Sequence, residues 1–411
     1  MYQIIKQCRN CNSASLRHIL DLGQQPPANS LHNKKKKINK IPLNLLYCIN
    51  CSLVQLSETV DPAYLFRNYL WVTSTSKTAN DYSEIFYKNI IKKYKKKIRF
   101  ILEIASNDGT FLKPFLKTAD KVIGVDPAKN ITKLSRNNGI VTISEFFNKE
   151  TALKLIKKEG KADVIFARNV IPHVKDIHSI IDGISTLLSK TGIVAIEFHY
   201  AKIILDELHY DSIYHEHLFY FTIKTISNIF FKYNLKAFDV FESPISGGSL
   251  VIYFSKNYNF PMSKKLEKYI EIEKKNKINT IIPWKLFAKK SKKHSKNLKK
   301  VILKKFVEKN KTLIGFGASA RSSTLLNFSQ INHQHIDFIV DKNKLKKNLY
   351  TPGSNIIIKN IEIFKEFNKS QINIIILAWN FKTEIVNFLK KIKFKGKILV
   401  PLPKKLKLYD I

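Results

Sequence analysis

Four cysteines occur in this 411-residue chain, as two Cys-x-x-Cys pairs, Cys8/Cys11 and Cys48/Cys51, with none after residue 51. Each pair sets two thiolates on one tight turn, and two such turns supply the four soft ligands that tetrahedral zinc prefers. A catalytic zinc keeps an open coordination position; four thiolates leave none, so the expected role is structural. In a reducing compartment this usage favours metal ligation over disulfides. A segment as short as residues 1–65 cannot hold together on an apolar core alone, and a metal staple suits that size.

The chain is too long for one hydrophobic core, so further packed units must follow the cysteine segment. A hydrophobic fraction of 44% places it among globular proteins. The formal charge of +39 first suggests a polyanion partner. However, runs such as Lys34–Lys37 and Lys95–Lys97 are scattered along the whole length, among abundant Ile and Asn. A binding stripe concentrates its charge on one element, so a compositional bias explains the lysines better, and no nucleic-acid partner is expected. Met1–Asn12 lacks the apolar core of a secretory signal, and no run reaches the about 20 apolar residues of a membrane span. A cytoplasmic protein without a membrane partner is the expectation.

From about residue 80 to 255, strand-like apolar runs alternate with helix-like stretches, as a parallel α/β sheet requires. Arg99–Ile104, Lys121–Val125, Asp163–Phe166 and Gly192–Phe198 read as buried strands. Gly109–Leu116, Ala128–Asn137 and Ile177–Leu188 have helical spacing of apolar positions. Strand, Gly-containing turn, helix, then a strand ending in an acid is the doubly wound, Rossmann-like plan. A charged amphipathic stretch, Ser263–Asn310, then connects to a second α/β unit with strands at Thr312–Phe316, His335–Val340 and Ile372–Trp379.

Glu103-Ile104-Ala105-Ser106-Asn107-Asp108-Gly109 forms the turn after the first of these strands. Many methyltransferases carry an acid and a Gly-rich turn here, which lets the backbone approach the methionine part of S-adenosylmethionine; this turn has one Gly. About 20 residues on, Gly124-Val125-Asp126-Pro127 ends the next strand, where a carboxylate can accept both ribose hydroxyls. Helix capping is the alternative role for Asp126. Asn169-Val170-Ile171-Pro172-His173 follows the strand where ligands bind in this architecture, although a lone His173 would more often be a structural loop residue. The densest titratable cluster is Tyr210-Asp211-Ser212-Ile213-Tyr214-His215-Glu216-His217. Histidines near neutrality suit proton abstraction, and carbon methylation needs a base. His215 and His217 could instead be metal ligands or hydrogen-bonded core residues.

Taken together, these segments resemble the sugar C-methyltransferases of branched deoxysugar biosynthesis over essentially the whole chain. The likeness rests on the two Cys pairs with Asp21-Leu22-Gly23-Gln24-Gln25-Pro26 and Ala28-Asn29, on Glu103–Gly109, Asn169–Asp176 and Glu197-Phe198-His199-Tyr200. It continues through Tyr214–His217, Gly247-Gly248-Ser249-Leu250, Gly315-Phe316-Gly317-Ala318, Thr324-Leu325-Leu326-Asn327 and Tyr350-Thr351-Pro352-Gly353. The resemblance implies a zinc-binding domain (1–65), a class I S-adenosylmethionine-dependent methyltransferase core (66–262) and a C-terminal Rossmann-like α/β domain that binds sugar nucleotide (263–411). It implies cofactor contacts from Glu103, Ser106, Asn107, Gly109, Asp126 and Asn169. The substrate it implies is a nucleoside-diphosphate 4-keto-deoxysugar, methylated beside the ketone by a monomer. By motif, His217 is the base, with Tyr214, Glu216, His173 and Tyr69 positioning substrate or stabilising the enolate. Gly315-x-Gly317 with Arg321 would meet the diphosphate, unless that turn is simply a tight strand-to-helix connection. The competing readings are an RNA methyltransferase with a zinc-bearing recognition domain and a non-enzymatic zinc-bearing binding protein.

Overall fold

The structure is a computed structural model that describes residues 2–66, 71–366 and 372–410. The N-terminal part is antiparallel: β1 (Tyr2–Ile4) pairs with β5 (Glu58–Val60), while β2 (Leu16–Gln25), β3 (Ile41–Cys48) and β4 (Val54–Leu56) form a meander. Along β3 fully buried residues alternate with partly buried ones, the period-2 pattern of a sheet with one face on the core. A two-residue strand from far along the chain, Phe219–Tyr220 (β11 in chain order), extends this sheet at the edge of β4.

The middle sheet contains β6 (Ile98–Ile104), β7 (Ala119–Val125), β8 (Val141–Ile143), β9 (Ala162–Arg168), β10 (Leu188–His199), β12 (Lys236–Ser243) and β13 (Ser249–Ser255). Its order is β12-β13-β10-β9-β6-β7-β8, and β13 runs antiparallel to both neighbours. Strands covered on both faces read as continuous apolar runs, which is why all four expected strands occur here, each slightly longer. The helix expected at Gly109–Leu116 does not form: a turn leads into a 3-10 segment, Lys113–Lys117. Gly109 has φ +80°, and Pro114 has no N–H and its ring would clash with the carbonyl four residues back in an α-helix. The strand order reverses between β7 and β9 on either side of β6, so a crevice opens at the carboxyl ends of β6 and β9.

The connector is two helices rather than one, Lys264–Lys275 and Ile281–Lys305, interrupted where Lys277 takes a left-handed φ of 51°. Six strands follow: β14 (Thr312–Phe316), β15 (Ile339–Asp341), β16 (Ile358–Asn360), β17 (Ile372–Ile376), β18 (Lys397–Val400) and β19 (Lys407–Asp410). Their order is β16-β15-β14-β17-β18-β19, parallel except for β19. The strand expected from His335 begins only at Ile339, and the one expected to reach Trp379 stops at Ile376, leaving Trp379 on a 3-10 turn. Buried side chains run without a break from Leu43 and Leu56 through Leu102 and Ile196 to Ile314 and Ile375. Among the described residues no helix is long and apolar enough to cross a membrane.

Candidate active site

The four cysteine sulfurs all lie within 4.8 Å of one another, with Cys8–Cys51 and Cys11–Cys48 at 3.6 Å. Thiolates about 2.3 Å from a tetrahedral zinc stand about 3.8 Å apart, so spacing and donor set both fit that ion. The two knuckles are built alike: the Asn12 N–H donates to the Cys8 carbonyl (3.0 Å) and the Ser52 N–H to that of Cys48 (2.9 Å). Asn12 and Ser52 are both left-handed, at φ 56° and 63°. Hydrogen bonding from Cys51 pulls the Cys8 thiol down to about 4, whereas burial pushes Cys48 up to about 11. A dication at the centre resolves this conflict by holding all four sulfurs as thiolates.

At the end of β6 three residues in five are left-handed: Ala105, Asn107 and Gly109, at φ 53°, 50° and 80°. Such strain at non-glycine positions gathers at ligand clamps. The Asp126 carboxylate ties the turn to the next strand, accepting the N–H groups of Asn107 and Ala128, each at 2.9 Å. The cap of the helix Lys129–Asn137 is Ala128, so Asp126 is not its N-cap, and each carboxylate oxygen retains acceptor capacity for a hydroxyl. Gly109 admits no side chain, since a Cβ would come within 2.7 Å of Ile140 Cγ1.

Glu103, 1% exposed, receives Arg168 Nε at 3.3 Å on Oε1, and its Oε2 has no partner among the described residues. Burial pushes its carboxyl up to about 8 against the pull of Arg168. Buried polar atoms are normally paired, so an orphaned carboxylate oxygen below a strained turn at the crevice fits a polar ligand such as the methionine end of S-adenosylmethionine. Asn169, left-handed at φ 53°, donates its N–H to the Glu197 carbonyl at 2.8 Å. The Asn107 side chain accepts the N–H and hydroxyl of Thr73 (2.9 and 3.0 Å) and gives one Nδ2 hydrogen to the Trp71 carbonyl, and its N–H is on Asp126, which leaves the second Nδ2 hydrogen and the backbone carbonyl for a ligand. Ser106 Oγ packs against Gly124, at 2.3 Å from where a Cβ would stand.

His217 Nδ1 lies 2.7 Å from the Ser212 carbonyl, and Tyr214 Oη lies 2.6 Å from Nε2. A carbonyl only accepts, so Nδ1 carries the hydrogen and Nε2 presents the lone pair, to which the phenol donates. The edge of His173 meets the His217 ring at a centroid distance of 4.7 Å. Burial first, then His173, holds the His217 imidazole well below its usual range, and burial lowers His173 to about 4. Both rings are therefore neutral near pH 7, as a base must be before it acts. Glu216 is buried, accepts Asn29 Nδ2 at 2.6 Å, and is pushed up by burial to about 7. His215 turns the other way, to the Pro42 carbonyl at 3.1 Å, so the two histidines do not converge on one ion. Tyr69 lies outside the described residues.

Arg321 does not stand free for a phosphate. Its Nε and a terminal amine hold the Asp211 carboxylate at 3.1 and 3.0 Å, and it donates to the Ser246 carbonyl at 2.7 Å. The glycine of the neighbouring turn answers to packing: Gly317 has φ 96°, and a Cβ there would lie 2.3 Å from that of Ala378. Packing thus requires a glycine at 317, as the tight-turn alternative expects.

Three family models match the chain in order: a zinc binding domain (8–66), a methyltransferase domain (84–240) and a C-methyltransferase C-terminal domain (244–403). The chain is also similar to C-methyltransferase NovU of Streptomyces niveus, 26% identical over 409 residues, which span 97% of this chain and 96% of that protein. The chain is an S-adenosylmethionine-dependent C-methyltransferase. A shorter likeness, 28% over 117 residues, links 26% of it to 48% of the ubiquinone biosynthesis O-methyltransferase of Pelagibacter ubique. Solved structures similar to this C-methyltransferase include an S-adenosylmethionine-dependent methyltransferase from Clostridium acetobutylicum (11% identity, 44% of this chain, 93% of that one, TM-score 0.36). Another is magnesium protoporphyrin IX methyltransferase from Synechocystis with bound S-adenosylhomocysteine (10%, 43% and 82%, TM-score 0.34). The enzyme uses S-adenosylmethionine and carries structural zinc at its four cysteines.

Sequence reasoning missed several residues at this C-methyltransferase's site. Asp108 accepts the Ser74 N–H at 3.0 Å and so helps Asn107 hold the 71–74 segment against the cofactor turn. Arg168 lies between Glu103 and Glu197, at 3.3 and 3.7 Å. His199 and His209 stack and share a hydrogen bond of 3.1 Å, with His209 against Trp379. These partners stand far apart in the chain, so no local spacing could have paired them; only the motif Glu197-Phe198-His199 hinted at part of the set.

Proposed function

We propose that the enzyme methylates the carbon beside the 4-keto group of a nucleoside-diphosphate deoxysugar, with His217 Nε2 as the base. The observation that carries this reading is the setting of His217, its Nδ1 on the Ser212 carbonyl and its Nε2 turned to the Tyr214 hydroxyl. S-Adenosylmethionine, when bound, supplies an electrophilic methyl on a sulfonium. Glu103, the backbone of Asn107, Asp126 and Asn169 would hold it, at the carboxyl ends of β6, β7 and β9.

The Tyr214 hydroxyl swings its hydrogen from Nε2 to the ketone oxygen, which frees the lone pair. Nε2 then takes the α proton, the C–H pair moves to the carbonyl oxygen, and the donor on that oxygen stabilises the enolate. Bound S-adenosylmethionine would supply the methyl to the enolate carbon and keep the C–S bonding pair on its sulfur, restoring the ketone, while His217 holds the abstracted proton for release to water. A geometry that keeps the carbon and methyl in line contributes much of the rate. Glu216, close to half-ionised near neutrality and anchored by Asn29, suits a hydroxyl of the sugar. The excess positive charge steers an anionic diphosphate inward.

Incubation with S-adenosylmethionine and a panel of nucleotide 4-keto sugars, read by mass spectrometry, tests the proposal. A gain of one methyl that displaces no exchangeable hydroxyl proton supports it. Methyl transfer to oxygen, or to RNA in preference to every sugar, overturns it.

A further inference from the structure

We propose that the C-terminal domain is the positioning device of the base: Arg321, Trp379 and Thr324 fix the tautomer and direction of His217 by clamping the turn that carries its carbonyl partner. The proposal rests on the reading of Nε2 as the proton acceptor. The partner is Ser212, last residue of the 3-10 turn Tyr210–Ser212, in which all three residues are fully buried. Within the turn this peptide is held by the Ile213 N–H on the Tyr210 carbonyl at 3.1 Å, and the Ser212 hydroxyl donates to the His209 carbonyl at 2.6 Å. Here both flanking residues are fastened from the C-terminal domain.

On one side, the Asp211 carboxylate receives Arg321 through two nitrogens, at 3.0 and 3.1 Å, and the Trp379 indole N–H at 2.7 Å. The Arg321 guanidinium also stacks on the Trp379 ring, 4.5 Å from its centre, so the two donors brace each other. On the other side, the Thr324 hydroxyl donates to the Ile213 carbonyl at 3.0 Å. Before the turn, the Tyr210 hydroxyl lies 3.0 Å from His294 Nδ1, whose Nε2 donates to the Pro401 carbonyl at 2.8 Å. Among the described residues, every side-chain hydrogen bond that reaches Tyr210, Asp211 or Ile213 from outside the segment comes from residues 294–379.

The chemistry follows from this direction. With its carbonyl partner in place, His217 keeps the hydrogen on Nδ1 and the lone pair on Nε2, where the Tyr214 hydroxyl meets it. If the Ser212 peptide turns, the hydrogen is free to move to Nε2, and a ring protonated there cannot accept the α proton. The buried bidentate pair, desolvated on both sides, suits this purpose because it is directional. A merely structural hinge would need no such geometry beside the base.

The test uses the full-length zinc-loaded enzyme with 15N-labelled histidine. Thr324→Val removes one donor at nearly constant volume, Trp379→Phe removes another together with part of the indole, and both leave Asp211 paired with Arg321; Arg321→Lys keeps the charge and loses the fork. Expected is a single Nδ1–H tautomer for His217 in the parent, a mixture in the variants, and a kcat for methyl transfer roughly tenfold to hundredfold lower with an unchanged KM for S-adenosylmethionine. A His217 that stays wholly in the Nδ1–H form, with unchanged kcat, in both Trp379→Phe and Thr324→Val overturns the proposal. The nitrogen signals are read without substrate, so a failure of His217 as the base, seen as undiminished α-proton exchange in His217→Asn, is a separate outcome.

Discussion

Glu216 and His217 are neighbours with opposite proton demands, and both demands come from burial. The His217 imidazole is held below its usual range and stays neutral; the Glu216 carboxyl is raised to about 7 and holds its proton longer than in the unfolded chain. His217→Asn is expected to lower α-proton exchange with solvent deuterium by roughly 10²–10⁴-fold, the usual worth of a general base, with calorimetric affinity for S-adenosylmethionine unchanged. The folded pKa of Glu216 lies above the ordinary value, so its contribution to stability is full below about 4.5 and is lost as pH rises through about 7. Glu216→Gln has no such slope, so the variant should gain on the parent by up to about 1.4 kcal/mol per pH unit across that window in urea titrations. Parallel curves would refute the raised carboxyl.

Elements carry the next set of consequences. The cysteine knuckles were legible from spacing alone because each closes locally, over four residues. At Gly109–Leu116 the apolar spacing of a helix is overridden by Pro114 and the left-handed Gly109, which give a turn and a 3-10 segment instead. Removal of zinc by a chelator should unfold the meander β2–β4, seen as lost amide protection. The effect should also reach the candidate site, because β11 pairs with β4 and Asn29 holds Glu216. Methyl transfer should therefore fall with zinc content, measured in parallel by metal analysis. In the C-terminal sheet, Gly317→Ala places a Cβ 2.3 Å from that of Ala378 at a φ of 96°. A loss of roughly 1–3 kcal/mol in denaturation is expected, by overpacking and backbone strain.

At the scale of the whole molecule, one continuous core joins three sheets, and the groups proposed for catalysis lie where those sheets meet. Asn29 comes from the N-terminal domain, His173 and His217 from the middle one, and Arg321 and Trp379 from the last. The charge of +39 belongs to the same scale. For an anionic nucleotide sugar, kcat/KM should fall as salt rises from about 0.02 to 0.3 M, because screening shortens the reach of the field, while kcat holds. A salt-independent kcat/KM in stopped-flow and steady-state assays would remove the steering role.

By itself the sequence determined what local physics can enforce: the zinc ligands, the doubly wound strand pattern, the acid at the end of β7 and the cluster around His217. Each is set by spacing within a few residues or by burial on both faces of a strand. Tertiary structure decided the pairings across long stretches of chain: Asn107 with Thr73, Asp211 with Arg321 and Trp379, Asn29 with Glu216. A hydrogen bond between groups 34 to 187 residues apart leaves no periodicity to read, and a buried arginine looks in sequence like one bound for a phosphate. Only the packing of the last sheet against the middle one showed that Arg321 meets a carboxylate.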